Sequence, residues 1–140
     1  MKFWDASAIV PICVRESHSN LVRRVAASDN TIVVWWATPV ECYSAFARRR
    51  RDDVLTRAHE EQARQVVGRL ADDWIEIQPS HQVRDAAARA LILHPLTAAD
   101  ALQLAAGLLW ADGRPAHHDF VCLDQRLREA AQREGFRVLP

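Results

Sequence analysis

The sequence predicts an α/β fold of three layers, in which helices cover both faces of a central, mostly parallel sheet. Two observations lead to this prediction. Short apolar runs alternate with longer amphipathic stretches along the chain, an order typical of parallel strands joined by helices. The run TIVVWW at residues 31–36 has no polar alternation after its first residue, which is the pattern of a strand buried on both faces.

The first half of the chain predicts two strands and three helices. Apolar residues at helical spacing mark the helix at 20–28, and the turn Ser28-Asp29-Asn30 ends it. The segment Thr38-Pro39-Val40-Glu41 carries a capping-box signature with proline at the first helical position, so a helix should start there. The elements expected in this half are strand 2–4, helix 7–14, helix 20–28, strand 31–36 and a helix from 38 to about 50.

The second half continues the alternation. Pro95 stops one helix, Thr97 caps the next, and Asp112-Gly113 forms its exit. Asp124 is a direct N-cap candidate for the last helix, which Gly135 ends. The elements expected here are helix 54–72, strand 74–77, helix 80–93, helix 97–110, strand 120–123, helix 125–134 and strand 137–139.

Composition limits the class of protein. The chain has 140 residues and no linker-like segment, so we expect one domain, residues 1–140. Its 18 basic and 18 acidic residues cancel, which leaves no global attraction to polyanions or anionic lipid. Three scattered cysteines predict free thiols, and the longest apolar stretch, 101–111, contains Gln103 and is too short to span a bilayer. We expect a cytoplasmic protein without a membrane segment.

Four acids, Asp5, Glu41, Asp100 and Asp124, stand where short apolar runs give way to helices. Taken singly, each can serve as a helix cap, because carboxylates at helix N-termini satisfy free N–H groups. Taken together, they should meet at the carboxyl edge of a parallel sheet, where ligands of such folds usually bind. Clustered carboxylates need a counter-charge, and their oxygens suit hard cations such as Mg²⁺ or Mn²⁺.

The acid-bearing segments resemble the PIN-domain ribonucleases, specifically the VapC-type toxins of VapBC toxin–antitoxin pairs. The similarity covers nearly the whole chain, through the segments FWDASAIV, TPVECYSAFARR, LTAADALQLAAG and FVCLDQRLREAAQREGFRVL. It implies a PIN-like fold and a metal-dependent endoribonuclease whose Asp5, Glu41, Asp100 and Asp124 hold one or two Mg²⁺ or Mn²⁺ ions. The ions would activate a water for in-line attack on an RNA phosphodiester.

The resemblance further implies a cognate VapB-like antitoxin and a homodimer. It also implies that Ser7 supports the site through a hydrogen bond to Asp5 or to a metal-bound water, although helix capping explains this residue equally well. Cys122 departs from the family, which often carries threonine or serine two residues before the last acid. Asp119 should lie at the opposite end of its strand from Asp124, and it is left out of the site.

Two questions stay open at the level of sequence. The run Arg48 to Arg51 either complements the negative end of its helix dipole or contacts RNA phosphates that flank the cleaved one. The acids, as caps alone, would also fit a catalytically silent PIN-like module that binds RNA or a partner without cutting. A receiver-type phosphoacceptor is disfavoured, because the only lysine, Lys2, is wrongly placed for that chemistry.

Overall fold

The computed structural model describes residues 1–140 and contains one five-stranded sheet with seven helices. All four pairs of neighbouring strands are parallel, and the strand order is β3-β2-β1-β4-β5. The strands are β1 Lys2–Trp4, β2 Ile32–Trp35, β3 Ile75–Ile77, β4 Asp119–Val121 and β5 Arg137–Leu139. The helices are α1 Ala6–Cys13, α2 Ser19–Ala27, α3 Thr38–Arg51, α4 Arg57–Ala71, α5 His81–Leu93, α6 Ala98–Trp110 and α7 Gln125–Glu134. The predicted fold class is confirmed, and the sheet is wholly parallel.

The central strand β1 is buried on both faces, and the side chains of neighbouring residues pack into separate cores. Phe3 belongs to a core formed with α5, α6 and α7, whereas Trp4 belongs to a core formed with α1 to α4. In β2, Val33 and Val34 alternate in the same way, and both are fully buried. The interpretation of residues 31–36 as a strand covered on both faces is therefore confirmed for the residues that form β2.

Several predicted boundaries shift by one or a few residues, and one predicted cap is wrong. Thr38 does not cap α3: the N-cap is Ala37, which makes no side-chain capping bond, and Thr38 lies inside the first turn with its side chain fully buried. The fourth helix begins at Arg57 rather than 54, because Thr56 caps it by accepting from the His59 N–H at 3.1 Å. Strand β4 covers 119–121 rather than 120–123.

An ion pair between neighbouring strands lies at the amino edge of the sheet. Asp119 opens β4 opposite Arg137 of β5, and the Arg137 Nη2 donates to its Oδ2 at 2.8 Å. This hydrogen bond and the charge of Arg137 lower the pKa of Asp119, against a smaller opposing effect of burial. Asp119 therefore serves the fold at the end away from Asp124, as the sequence predicts.

No single helix is both long enough and apolar enough to cross a membrane, although α5 and α6 reach that length and composition together across a bend of 119°.

The close approach of α6 to the sheet depends on a glycine. A Cβ added to Gly107 would lie 2.8 Å from Phe120 Cε2, and Phe120 is fully buried against Phe3 with ring centroids 5.1 Å apart. We expect Gly107→Ala to lower the free energy of unfolding by about 1 to 3 kcal/mol in urea denaturation, because the overlap outweighs the better helix propensity of alanine.

The matched control is Gly68→Ala on α4, where an added Cβ meets nothing within 4 Å. This variant should gain about 0.5 to 1 kcal/mol, since alanine loses less backbone entropy on folding. Equal effects at the two positions would contradict the packing described for α6.

Candidate functional site

Four carboxylates line one cavity of about 680 Å³ at the carboxyl edge of the sheet. Asp5 directly follows β1, and Asp124 follows the turn after β4. Glu41 and Asp100 lie in the first turns of α3 and α6. Two acids come from each side of the sheet, because α1 and α3 cover one face while α6 and α7 cover the other. The structure thus brings together all four predicted acids, and Ser7 lines the same cavity.

Asp5 is the most deeply buried of the four, with 4% of its surface exposed. It caps α1, since its Oδ2 accepts the backbone N–H of Ser7 at 2.9 Å, and its own N–H donates to the Val121 carbonyl at 2.9 Å. Burial raises the pKa of Asp5, and the charge of Asp100 adds to that effect while the bonds from Ser7 oppose it. Its place at the end of β1 is therefore fixed by both backbone and side chain.

Glu41 makes no capping bond. Instead its Oε2 accepts from Gln103 Nε2 at 2.8 Å, so α6 orients a carboxylate that belongs to α3. Burial raises the pKa of Glu41 to about 7; the Gln103 hydrogen bond opposes this shift, and the charges of Asp5 and Asp100 add to it. The capping explanation therefore does not apply to this acid.

Gln103 is the residue of the site that sequence reasoning missed. It is fully buried, it lies 3.4 Å from Thr38 Oγ1 as well as donating to Glu41, and its Oε1 has no hydrogen-bond partner. The available signal was a single polar residue inside the apolar run 101–111, three positions after Asp100 and hence on the same side of the helix. Burying an amide without full satisfaction is costly, which indicates a specific role.

Asp100 and Asp124 combine capping interactions with a place on the cavity wall. Thr97 caps α6, as predicted, and its hydroxyl donates to Asp100 Oδ2 at 2.7 Å. Asp124 caps α7 by accepting the Leu127 N–H at 3.0 Å through Oδ1. Local helix starts thus position these two acids, in agreement with the roles expected from their spacing.

Ser7 connects the turns that carry Asp5 and Asp124. Its Oγ accepts the backbone N–H of Leu123 at 2.9 Å and that of Asp124 at 3.3 Å, across more than a hundred residues of sequence. It does not cap α1, because Asp5 fills that role. The thiol of Cys122 lies 3.6 Å from both Ser7 Oγ and Asp5 Oδ2, so a weak sulfur contact stands where a hydroxyl would donate more strongly.

The chemistry of this donor set fits a hard dication. In each of the four acids one carboxylate oxygen takes a protein hydrogen bond and the other takes none: the free oxygens are Asp5 Oδ1, Glu41 Oε1, Asp100 Oδ1 and Asp124 Oδ2. No three acidic, histidine or cysteine side chains lie close enough to ligate one ion directly. Mg²⁺ commonly uses one or two carboxylates and completes its octahedron with water, so the remaining acids would act through water.

Basic side chains also line the cavity. Arg48 and Arg49 line it together with His18 and Glu16, whereas Arg50 and Arg51 lie outside it. Half of the arginine run therefore shares a cavity with Glu41.

Comparison by sequence finds no family model and no curated protein that matches the chain. Comparison by structure finds similar folds. The toxin VapC20 of Mycobacterium tuberculosis, described as cleaving the sarcin-ricin loop, superimposes with a TM-score of 0.72 at 16% identity, with 100% of each chain covered. FitAcB of Neisseria gonorrhoeae superimposes with a TM-score of 0.62 at 15% identity, covering 100% of this chain and 97% of the other. The chain thus has a PIN-like fold, similar to these two structures along its whole length.

Proposed function

We propose that this protein is a metal-dependent endoribonuclease that acts as the toxin of a type II toxin–antitoxin pair. The observation that carries the proposal is the gathering of Asp5, Glu41, Asp100 and Asp124 around one cavity at the carboxyl edge of the sheet. The likeness in fold to VapC20, a toxin described as cleaving the sarcin-ricin loop, supports RNA as the substrate class.

Asp5, Glu41, Asp100 and Asp124 would hold Mg²⁺ or Mn²⁺, directly or through water. A bound ion would supply water activation and would neutralise charge on the phosphate during hydrolysis. Gln103 would keep Glu41 turned toward the cavity through its hydrogen bond of 2.8 Å. Ser7 would keep the Asp124 turn at a fixed distance from Asp5 through the bonds to Leu123 and Asp124.

The same likeness in fold supports a protein partner and a cellular setting. We propose a cognate VapB-like antitoxin, since VapC20 is described as a toxin, together with a homodimer and a cytoplasmic location. Leu91, Ile92 and Leu93 expose 45%, 85% and 50% of their surface at the end of α5, so apolar area is available for such an assembly.

The second candidate is a silent PIN-like module that binds RNA or a partner without cutting. Two observations favour it. No three ligands are close enough to share an ion directly, and Asp5 and Asp124 already serve as helix caps. The two candidates differ in whether the parent cuts RNA in the presence of a dication, and in whether neutralising an acid abolishes cutting or changes stability alone.

Asp124→Asn separates metal chemistry from capping. Asparagine caps a helix about as well as aspartate, so the free energy of unfolding should change by less than about 0.5 kcal/mol. It supplies no negative charge to a dication, so we expect the rate of RNA cleavage in Mg²⁺ or Mn²⁺ to fall about a hundredfold or more. The measurements are single-turnover cleavage of RNA by protein freed of any antitoxin, and urea denaturation.

The control for this experiment is Asp85→Asn on the exposed face of α5, away from the cavity, which should cleave like the parent. Parent cleavage that survives EDTA, or an Asp124→Asn variant that cleaves at the parental rate, would refute metal chemistry at these acids, whereas a parent that binds RNA in Mg²⁺ or Mn²⁺ without cutting it would leave the silent module.

Glu41→Gln tests the electrostatic cost of the acid cluster. The folded protein keeps a proton on Glu41 up to a pKa of about 7, whereas an ordinary glutamate has a value of 4.5. Between these pH values the unfolded chain binds fewer protons than the folded one, so the stability of the parent falls as pH rises through this window. In EDTA at pH 8 the variant should therefore be more stable than the parent by roughly 2 kcal/mol, and this advantage should shrink toward pH 4.5.

Adding Mg²⁺ at pH 8 should raise the Tm of the parent more than that of Glu41→Gln, because a ligand stabilises the state that binds it. Glu61→Gln, at an exposed position of α4, is the control and should give the same small difference from the parent at pH 5 and pH 8. A Glu41→Gln advantage that does not depend on pH would contradict the described environment of Glu41.

A further inference from the structure

The wall formed by α3 runs from a carboxylate to a guanidinium within one cavity. Side chains seven residues apart lie on the same helix face about two turns, or roughly 10 Å, from each other. Glu41 and Arg48 have this spacing, and both line the cavity with Ser44 between them. A single-stranded RNA bound at the acids could therefore extend along α3 toward Arg48.

Arg48 is the only guanidinium on this wall whose donors are free. Arg49 also lines the cavity, but it forms an ion pair with Glu16 at 2.5 Å and donates to the Ala45 carbonyl at 3.2 Å. Arg50 lies outside the cavity and pairs with Glu60 at 2.5 Å.

The side chain of Arg48 forms neither an ion pair nor a hydrogen bond, and the residue is exposed. Arg49 and Arg50 are thus held by the carboxylates of Glu16 and Glu60, whereas the guanidinium of Arg48 can take a ligand from solution. His18, which precedes α2 and also lines the cavity, hydrogen-bonds with the Ser17 hydroxyl at 3.3 Å.

We propose that Arg48 forms a phosphate-binding subsite for single-stranded RNA, which holds a backbone phosphate next to the one that is cleaved. The guanidinium presents a planar fork of donors that matches phosphate oxygens, and it carries the charge that the acidic end of the cavity lacks. A dication at the acids would attract the phosphate that is cleaved, and a free guanidinium two helical turns away gives the RNA backbone a second point of attachment. This inference rests on RNA being the substrate.

The simpler explanation is that Arg48 only complements the negative end of the α3 dipole. Arg51 provides the matched control, because it belongs to the same last turn, is exposed and makes no ion pair, yet does not line the cavity. A dipole role would make Arg48 and Arg51 equivalent, whereas a phosphate subsite requires Arg48 alone.

The test measures binding of a fluorescently labelled single-stranded RNA by anisotropy in Mg²⁺, with Asp100→Asn as the background so that the strand stays intact. Adding Arg48→Ala should weaken binding about tenfold, which corresponds to the loss of one charge-assisted hydrogen-bonded contact. It should also reduce the slope of log affinity against log salt by about 0.7, the value for one single-strand phosphate. Adding Arg51→Ala should change affinity by less than about twofold, and Arg48→Lys should keep the salt slope because it keeps the charge.

In the protein with Asp100 intact, Arg48→Ala should raise KM about tenfold and leave kcat within about twofold, because the contact is made outside the cleaved bond. Equal losses for Arg48→Ala and Arg51→Ala, or no loss for either at unchanged Tm, would overturn the subsite, as would absence of RNA binding by the Asp100→Asn protein. The nuclease proposal is judged separately, by cleavage with the parent: a parent that binds RNA through Arg48 but never cuts it would refute the nuclease and keep Arg48 as a contact to an RNA phosphate.

Discussion

The whole molecule depends on the constraint that a parallel sheet imposes. Parallel strands must be joined by crossovers, so both faces become covered and all carboxyl ends point to one edge. Strand β1 lies at the centre of this arrangement, hydrogen-bonded to β2 on one side and β4 on the other. Its end delivers Asp5 to the middle of the edge, and the helices on either face bring their acids to the same place.

This convergence has an electrostatic cost. Burial and neighbouring charges raise the pKa of both Asp5 and Glu41, so ionising these acids in the folded protein costs free energy. This cost is reduced by hydrogen bonds to one oxygen of each carboxylate. One of these bonds is donated by the side-chain amide of the buried Gln103. Perturbed ionisation of this kind is typical of functional sites, where stability is given up for a prearranged geometry.

The cavity is also divided by charge. Its acids lie at the sheet edge, and its arginines lie two turns along α3, where Arg49 is fixed by Glu16 and Arg48 is not. A polyanion that approaches such a surface meets a cluster of carboxylates and a free guanidinium within one cavity. The zero net charge of the chain does not reveal this local polarity, because folding brings acids to one part of the cavity and arginines to another.

The sequence by itself determined the order and type of the elements. Residues 2–4, 125–134 and 137–139 were assigned with the bounds that the structure has, because period, caps and glycine stops are local signals. It also singled out the four acids that the structure places on one cavity. Local signals failed at Thr38, where a capping pattern matched but burial against Gln103 took the hydroxyl elsewhere.

Only the tertiary structure decided what depends on distance in space. It paired Gln103 with Glu41, linked Ser7 to the turn before α7, and left Arg48 unpaired while Arg49 and Arg50 pair with glutamates. These contacts join segments far apart in sequence, and their partners are chosen by how helices pack on the sheet. Periodicity and capping signals depend on residues close together along the chain, so they carry no information about contacts between distant segments.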